Sequence, residues 1–188
     1  EDASDLLQQI QLKTSFLMVG TLEPRKGHTL VLDAFEMLWA EGVDINLIWV
    51  GKLGWHMDDL ESRLRHHAEF GSRLIWIDSP TDEFLDTLYQ TVDCLIAPSE
   101  TEGFGLPLIE ASKYGLPIIA SDIPVFREVA NHHAYYFSKR EPQALMQSVN
   151  DWLTLYRRKK HPKSSGLRAQ SWQTSAQQLL SAIDLRQG

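Results

Sequence analysis

The chain has 188 residues, of which 43% are hydrophobic and 23% charged, and its formal net charge is −7 at pH 7. These values are ordinary for a soluble globular protein with one core, and the negative balance argues against nonspecific binding of nucleic acid. The sequence has no apolar run of the roughly 18 to 20 residues that cross a bilayer, and it opens without a secretory leader pattern.

Short apolar runs alternate with helical patterns along the chain. In chain order the patterns predict a strand at 16–19, a helix at 29–41, a strand at 45–50, a helix at 57–69, a strand at 74–77, a helix at 82–90, a strand at 94–97, a helix at 107–114, a strand at 117–120, a helix at 125–130 and a strand at 134–137. Two helices follow, one starting near Pro142 and a closing one at 167–184, and the segment HPKSSG (161–166) between them is predicted as a linker.

Most of the predicted strands are continuous apolar runs, which is typical of strands covered on both faces. Alternating strands and helices with short connections predict an α/β fold, a doubly wound parallel sheet of about six strands with helices on both faces. We expect one domain over 1–188, with its core at 15–160. Ligands of such sheets bind outside the carboxyl ends of the strands, where the loops 20–27, 77–82 and 98–105 lie.

The segment ETEGFGLPLIE, residues 100–110, carries the strongest functional signal. Glu102 and Glu110 flank a Gly-Phe-Gly turn, and Pro107 suits the first turn of a helix. Glycines let backbone N–H groups approach a ligand at the start of that helix. We expect Glu102 in the approach loop and Glu110 in the first helical turn, both facing one crevice and accepting hydrogen bonds from hydroxyl groups. The alternative is a solvated Glu102 and a Glu110 that only complements the helix dipole.

A second signal is the loop GTLEPRKGH, residues 20–28, which joins the first strand to the first long helix. Arg25 and Lys26 lie just before that helix, where the positive helix end and two cations favour an anion such as phosphate. The alternative is a solvated loop with two surface charges. The dinucleotide and triphosphate glycine motifs are both absent. Together with the two glutamates, the loop predicts binding of a nucleotide-diphosphate sugar.

Other chemistry-bearing residues give weaker signals. The single cysteine, Cys94, lies in an apolar run and is predicted to be buried; one thiol cannot form an internal disulfide, which favours a reducing, cytoplasmic setting. The seven histidines lack the spacing of metal ligands, so no metal site is predicted. We expect the following tryptophans to be in the core or partly buried: Trp39, Trp49, Trp55, Trp76 and Trp152.

The motifs VGTLEPRKG (19–27), SETEGFGLPLIEASKYGLPIIAS (99–121) and DIPVFREVA (122–130) resemble family 4 of the retaining nucleotide-sugar glycosyltransferases, also called glycosyl transferases group 1. The resemblance extends over residues 15–183. It implies a Rossmann-like domain that is one half of a GT-B fold, the C-terminal donor-binding half. The amino-terminal domain that binds the acceptor is absent from this chain, which also does not begin with Met, so we expect an excised piece that is inactive in isolation.

The resemblance implies a role for each matched residue. Arg25 and Lys26 would hold the diphosphate and stabilise the leaving group, Glu102 would lie near the transferred sugar, and Glu110 would bind the ribose hydroxyls. No obligatory cofactor is implied. The loop at 77–80 is implied to contact the base. The remaining positions implied to contact the donor are Gly20, Ile77, Ser79, Ser99, Gly103, Phe104, Gly105 and Leu106.

The chain departs from the family pattern at Thr21, where many relatives have Arg, and Arg25 is the candidate replacement for that charge. Asn131 stands where relatives often have Gly, which puts the turn before the last strand in doubt.

The motifs EPRKG, VGKLGW and FREVA are similar to those of bacterial polysaccharide and O-antigen mannosyltransferases, which favours GDP-mannose as donor and a surface glycan as acceptor. The basic run Arg157–Lys160 suits a helix C-terminus, and also peripheral contact with anionic lipid at the inner membrane face. Two alternatives stay open: a non-catalytic nucleotide or sugar-binding module, and a different enzyme of the same architecture, such as a nucleotide-sugar epimerase or a glycogen phosphorylase relative. For the latter we find no convincing pyridoxal-binding lysine.

Overall fold

A computed structural model describes residues 3–167 of the chain. Within this range a six-stranded parallel sheet is flanked by seven α-helices. The strands are β1 (Thr14–Val19), β2 (Ile45–Val50), β3 (Leu74–Ile77), β4 (Cys94–Ala97), β5 (Ile118–Ser121) and β6 (Tyr135–Phe137). The helices are α1 (Ala3–Gln11), α2 (His28–Ala40), α3 (Asp58–Arg65), α4 (Asp82–Thr91), α5 (Leu106–Lys113), α6 (Pro124–Ala130) and α7 (Pro142–Arg157).

The strand order creates a crevice in the middle of the sheet. The order is β3-β2-β1-β4-β5-β6, and each neighbouring pair is parallel. β1 and β4 are neighbours, with Phe16 paired to Cys94 and Leu17 to Leu95. The chain therefore moves outward from β1 in one direction and from β4 in the other. The loops that follow these two strands diverge, and ligands of such sheets bind between them.

Two apolar layers cover the two faces of the sheet. Successive strand side chains alternate between the layers, so Phe16 packs with α2, α3 and α7 while Leu17 packs with α1, α4, α5 and α6. Trp49 and Trp152 are fully buried in the first layer and Phe126 in the second. Each such side chain stabilises the fold by about 1.5 to 3 kcal/mol relative to an exposed one. The predicted doubly wound sheet with helices on both faces is confirmed.

The strand predictions agree closely with the structure. β2, β3 and β4 have the predicted bounds, while β1 begins two residues earlier than predicted. The predicted helix at 57–69 is too long, because α3 ends at Arg65 and the following residues form turns up to Gly71. The predicted closing helix at 167–184 falls almost wholly outside the described residues.

The sequence analysis missed helix α1. Leu6, Leu7 and Ile10 lie at helical spacing, and Ile10 is fully buried in the second layer. The carbonyl of Ile10 accepts a hydrogen bond from Ser15 Oγ at 2.8 Å, which fixes the end of α1 against the start of β1.

The segment predicted as a linker, 161–166, is instead packed against the domain. His161 and Ser164 are buried, and Ser164–Gly166 forms a 3₁₀ turn. The Lys163 carbonyl lies 2.8 Å from Nδ1 of His133, which ties the segment to the turn after α6.

Two predictions about single side chains had opposite outcomes. Cys94 is fully buried, as predicted. Trp55 was expected to be at least partly buried, but it is 63% exposed, because it follows Gly54 in a turn after β2 rather than lying in the strand.

None of the helices in residues 3–167 combines the length and the hydropathy that a transmembrane span requires.

Candidate functional site

The cationic loop after β1 is held in a fixed shape by a glycine. Pro24–Lys26 forms a 3₁₀ turn, and Gly27 then adopts a left-handed conformation with φ of 77° before α2 begins. A Cβ atom on Gly27 would lie 2.6 Å from the carbonyl oxygen of Pro98. The loop after β1 can therefore pack directly on the loop after β4, because the residue at this point has no side chain.

Lys26 and Glu102 meet where these two loops touch. Lys26 Nζ donates a hydrogen bond to Glu102 Oε2, and both side chains are mostly buried, 14% and 13% exposed. Ser99 Oγ donates to the same oxygen at 3.3 Å, and the Gly103 N–H donates to Oε1 at 3.3 Å. Glu102 is therefore held by donors from both loops.

Arg25 joins the same loops from a more exposed position. Its Nη1 donates to the Thr101 carbonyl at 3.1 Å and lies 3.9 Å from Glu102 Oε2, and its Nε pairs with Glu23 at 3.0 Å. Its own carbonyl accepts from the Glu100 N–H at 2.8 Å. Two cations thus border the acidic loop, and neither is the freely solvated charge of the alternative interpretation.

Glu102 is ionised at neutral pH. Burial by itself would raise the pKa of its carboxyl group, but the hydrogen bond from Lys26, the charge of that lysine, the Gly103 N–H and the charge of Arg25 together lower the pKa below the ordinary value. The site therefore presents a carboxylate that can accept hydrogen bonds but has no proton to donate.

The glycine turn presents backbone donors at the start of α5. Gly105 adopts a left-handed conformation with φ of 65° and is the N-cap of the helix, and Pro107 lies in the first turn. Within residues 3–167, no acceptor takes a hydrogen bond from the N–H groups of Phe104, Gly105 or Leu106. These groups can donate to oxygens of a ligand, and the positive end of the helix dipole favours anionic ones.

Glu110 lies deeper in α5 than predicted. The helix begins at Leu106, so Glu110 is its fifth residue and belongs to the second turn, too far from the end for a simple dipole role. Its Oε2 accepts a hydrogen bond from the Tyr89 hydroxyl at 2.8 Å.

A cavity of about 310 Å³ brings the two predicted segments together. Its size suits a small ligand. Both glutamates, both cations and residues of the glycine turn line it. The full lining is Val19, Gly20, Thr21, Glu23, Arg25, Lys26, Glu102, Phe104, Leu106, Pro107 and Glu110. We call this space the donor cavity below, after the donor binding that the family resemblance in the sequence implies.

Other predicted site residues lie around the donor cavity rather than in its lining. Ser99 lines a small enclosed space beneath it, beside Lys26 and His28. Gly103 and Gly105 shape the turn that carries Phe104. Ile77 is the last residue of β3 and Ser79 follows that strand, and neither residue is in the lining of the donor cavity. Their contact with a base stays a prediction.

Two residues that support this site, Tyr89 and Arg140, were missed in the sequence, and a third, His28, ends the loop 20–28. Tyr89 holds Glu110, and Arg140 donates from Nη1 to the Pro98 carbonyl at 2.6 Å and to Ser121 Oγ at 3.2 Å. His28 is 3% exposed and packs edge-on against Trp49; burial, and next the charge of Lys26, lower its pKa to about 3. Helical spacing marks Tyr89 as buried, but no local pattern connects it to Glu110.

The described residues offer no group of three or more His, Cys, Asp and Glu side chains that could hold a metal ion. The groups that line the donor cavity include the two cations, carboxylates and residues of the glycine turn.

This doubly wound domain, with its cationic and acidic loops at one switch point, is of the class found in glycosyltransferases. Residues 8–170 match the family model described as Glycosyl transferases group 1. The chain belongs to this family.

Several curated relatives are mannosyltransferases. The chain is 47% identical over 185 residues to the serotype-specific mannosyltransferase WbdA of Escherichia coli, covering 98% of this chain and 23% of that protein. It is 33% identical over 156 residues to the O-antigen chain mannosyltransferase B of the same species, covering 78% of this chain and 40% of that protein. The chain thus spans less than half of the length of these relatives.

Solved structures show the same fold at low identity. The C-terminal domain of the group 1 glycosyl transferase LpcC from Francisella tularensis has a TM-score of 0.73 and 18% identity, covering 88% of this chain and 92% of that one. Anabaena HepE, solved in complex with UDP-glucose, has a TM-score of 0.77 and 20% identity, and the match covers 97% of this chain and 52% of HepE. The Rossmann-like domain of GT-B type is therefore confirmed.

Proposed function

We propose that this chain is the donor-binding domain of a retaining glycosyltransferase that uses a nucleotide-diphosphate sugar. The observation that carries the proposal is the contact of Lys26 with Glu102 across the switch point, at a cavity that Arg25 and Glu110 also line. Such a donor has a dianionic linker between two groups of hydroxyls. The donor cavity is lined by two cations, Arg25 and Lys26, and by carboxylates that include Glu102 and Glu110.

In this proposal the diphosphate is bound by Arg25 and Lys26. Arg25 is 42% exposed, so its guanidinium can reach a ligand and form paired hydrogen bonds with phosphate oxygens. Lys26 supplies a compact charge from a more buried position. As the bond to the sugar breaks, negative charge grows on the departing diphosphate, and these preorganised cations stabilise that charge. The unpaired N–H groups of the glycine turn add donors from the other side.

The two carboxylates bind the hydroxyl groups of the donor. Glu102 lies beside the cations and accepts hydrogen bonds from the transferred sugar, and its negative charge can stabilise positive charge that develops on the sugar ring. Glu110 lies in the second turn of α5 and accepts hydrogen bonds from the ribose. Ile77, at the end of β3, and Ser79, in the loop that follows, contact the base in the same proposal.

GDP-mannose is the donor that we propose. The support is the function of the relatives, several of which are mannosyltransferases, including one that matches nearly the whole chain. The residues around the donor cavity do not themselves distinguish guanine from uracil.

The rest of the proposal concerns the longer protein. Because the chain spans 23% of WbdA, the acceptor, a bacterial surface glycan, would be bound by a separate amino-terminal domain. We propose a cytoplasmic protein with peripheral contact to the inner membrane face, to which the exposed basic residues Arg157–Lys160 contribute. We expect the isolated chain to bind donor without transferring sugar.

A thermal-shift panel tests the proposal on the chain itself. GDP, UDP and ADP are compared with GDP-mannose, UDP-glucose and ADP-glucose. A ligand present at about 100 times its dissociation constant stabilises the folded state by about 2.7 kcal/mol. We expect the guanine compounds to raise the melting temperature most. A larger shift with UDP-glucose would replace the proposed donor, and no shift with any of the six compounds would contradict donor binding.

A second measurement separates transfer from binding alone. The longer protein is incubated with GDP-mannose and a mannose-containing acceptor, and free GDP and the extended glycan are measured. Release of GDP together with acceptor extension supports a transferase. Binding without either product would favour a non-catalytic module, and conversion of the nucleotide sugar without an acceptor would favour an epimerase.

A further inference from the structure

Glu110 is held by a tyrosine from the neighbouring helix. Tyr89 of α4 is 3% exposed, and its hydroxyl donates a 2.8 Å hydrogen bond to Oε2 of Glu110 in α5. Burial, followed by the nearby charge of Glu110, raises the pKa of Tyr89 far above its ordinary range. The hydroxyl therefore keeps its proton and acts as a permanent donor at any physiological pH.

A second tyrosine makes the reverse contact between the same helices. Tyr114, at the end of α5, donates from its hydroxyl to Oδ1 of Asp86 in α4. The rings of Tyr89 and Tyr114 are stacked, with centroids 5.4 Å apart and planes 7° from parallel. Each helix thus gives one tyrosine to a carboxylate of the other helix. The pair fixes both the distance and the rotation of α5 relative to α4.

Tyr89 reaches Glu110 from the side away from the donor cavity. A second cavity, of about 180 Å³, lies between α4 and α5, and Tyr89, Tyr114, Asp86 and Glu110 are among its lining residues. Glu110 lines both this cavity and the donor cavity, whereas Tyr89 lines only the former of the two. Tyr89 can therefore act on a bound donor only through Glu110.

We propose that Tyr89 is the positioning residue that selects ribose at this site, by fixing the Glu110 carboxylate for the adjacent hydroxyls of a nucleoside diphosphate. The inference rests on the proposed function. With Oε2 engaged by Tyr89, the carboxylate cannot rotate freely, and Oε1 keeps its acceptor capacity for the ligand. A carboxylate held in one orientation binds a diol better than a mobile one, because less conformational freedom is lost on binding.

The test compares nucleotides with and without ribose hydroxyls on the wild-type chain and on Tyr89→Phe. Isothermal titration calorimetry measures the dissociation constants of GDP and UDP and of their 2′,3′-dideoxy counterparts. The readout is the ratio of affinities for the two forms of one nucleotide. We expect the wild-type chain to prefer the ribose form by about tenfold or more, because a lost charge-assisted hydrogen bond weakens binding by about 1.5 to 3 kcal/mol. Tyr89→Phe is expected to reduce that preference to about threefold or less.

Tyr114→Phe is the matched control. It removes the reciprocal hydroxyl contact from the same stacked pair and leaves the Tyr89 contact with Glu110 in place. A general loosening of α4 against α5 would weaken binding of both nucleotide forms in both variants. The positioning role predicts a loss of ribose preference in Tyr89→Phe and a wild-type ratio in Tyr114→Phe.

The failures of the two proposals are distinguishable. If the wild-type chain binds none of the four nucleotides, the proposed function is wrong. If it binds them but Glu110→Gln keeps the full preference for ribose, Glu110 does not bind the ribose and the positioning role is overturned. If Glu110→Gln loses the preference while Tyr89→Phe keeps it, Glu110 selects ribose without help from Tyr89, which also overturns the inference.

Discussion

Lys26 and Glu102, 76 residues apart in the chain, are hydrogen-bonded to each other across the switch point between β1 and β4. In the part of the chain that the structure describes, this is one of three hydrogen bonds that join the two loops. Glu100 N–H donates to the Arg25 carbonyl at 2.8 Å, and Arg25 donates to the Thr101 carbonyl at 3.1 Å. The cationic and acidic loops therefore form one unit, and a change in either loop alters the geometry of both.

Gly27 is expected to be indispensable for this unit. In Gly27→Ala the new methyl group would lie 2.6 Å from the Pro98 carbonyl oxygen, in addition to the cost of a left-handed backbone. We expect a loss in the free energy of unfolding of about 2 to 4 kcal/mol, from about 1 to 2 kcal/mol of backbone cost and a similar packing cost. Urea denaturation of wild type and variant measures the difference.

Gly71→Ala is the matched control for that variant. Gly71 has the same φ of 77°, but nothing lies within 4 Å of the position that its Cβ would occupy. Only the backbone cost of about 1 to 2 kcal/mol is expected there. Equal losses in the free energy of unfolding of the two variants would show that the close contact between Gly27 and Pro98 does not limit the packing of the two loops.

Arg140 is expected to anchor the acidic loop at its first residues. It donates to the Pro98 carbonyl and to Ser121 Oγ and lies 3.4 Å from Glu100. Its side chain is 30% exposed, so we expect a moderate loss of about 1 to 2 kcal/mol in the free energy of unfolding of Arg140→Ala. Weaker binding of GDP should accompany it, because the loop that carries Glu102 loses its anchor.

Arg158→Ala is the control for charge alone, since Arg158 is exposed at the end of α7. We expect the free energy of unfolding of Arg158→Ala to change by no more than about 0.5 kcal/mol and its affinity for GDP to be unaltered. Urea denaturation measures the stability of both variants, and calorimetry measures their affinity for GDP. If Arg140→Ala behaves like Arg158→Ala, the hydrogen bond to Pro98 does not position the acidic loop.

His28 is expected to make the fold sensitive to moderate acid. Its pKa is about 3 in the folded chain and near 6.5 when exposed. Above pH 6.5 the side chain is neutral in both the folded and the unfolded chain, so its titration does not change the stability. As the pH falls below that value the unfolded chain binds the proton first, and stability is lost down to about pH 3. Between about pH 7.5 and 5, this group alone should remove about 2 kcal/mol from the free energy of unfolding.

The measurement is a pair of urea denaturation curves at those two pH values for wild type and for His28→Leu. The variant is expected to lose about 2 kcal/mol less than the wild type on acidification, whatever its stability at neutral pH. His132→Gln, an exposed position, should follow the wild type. An equal loss in wild type and His28→Leu would contradict a buried neutral His28.

Much of the fold could be predicted because buried strands leave a clear pattern. The runs that became β3 and β4 are apolar throughout and β2 has a single polar residue, Asn46, since both faces of the sheet are covered, and glycines or charged residues mark most of the strand ends. The convergence of the segments with Lys26 and Glu102 followed from the topology, because both loops leave carboxyl ends of neighbouring parallel strands.

What the sequence hid were contacts that depend on tertiary packing. Tyr89 and Arg140 act on the site from 21 and 42 residues away along the chain, and their spacing carries no motif. Trp55 has the composition of a core residue but lies in a turn, where local geometry outweighs its hydrophobicity. Glu110 was predicted in the first turn of a helix starting at residue 107, but α5 begins one residue earlier, at Leu106, which puts Glu110 in the second turn; helix boundaries are the least certain feature of a sequence pattern.

The most direct test of the donor cavity is the affinity of Lys26→Ala for GDP and UDP, measured by isothermal titration calorimetry. Lys13→Ala is the control, since Lys13 pairs with Asp44 at 2.7 Å before the start of β1, at the other end of that strand. Removing a charge-assisted contact to phosphate should weaken binding of the preferred nucleotide by about tenfold or more in Lys26→Ala. Lys13→Ala should bind like the wild type. Unchanged affinity in Lys26→Ala would contradict the account, because a diphosphate bound in the donor cavity would need that lysine.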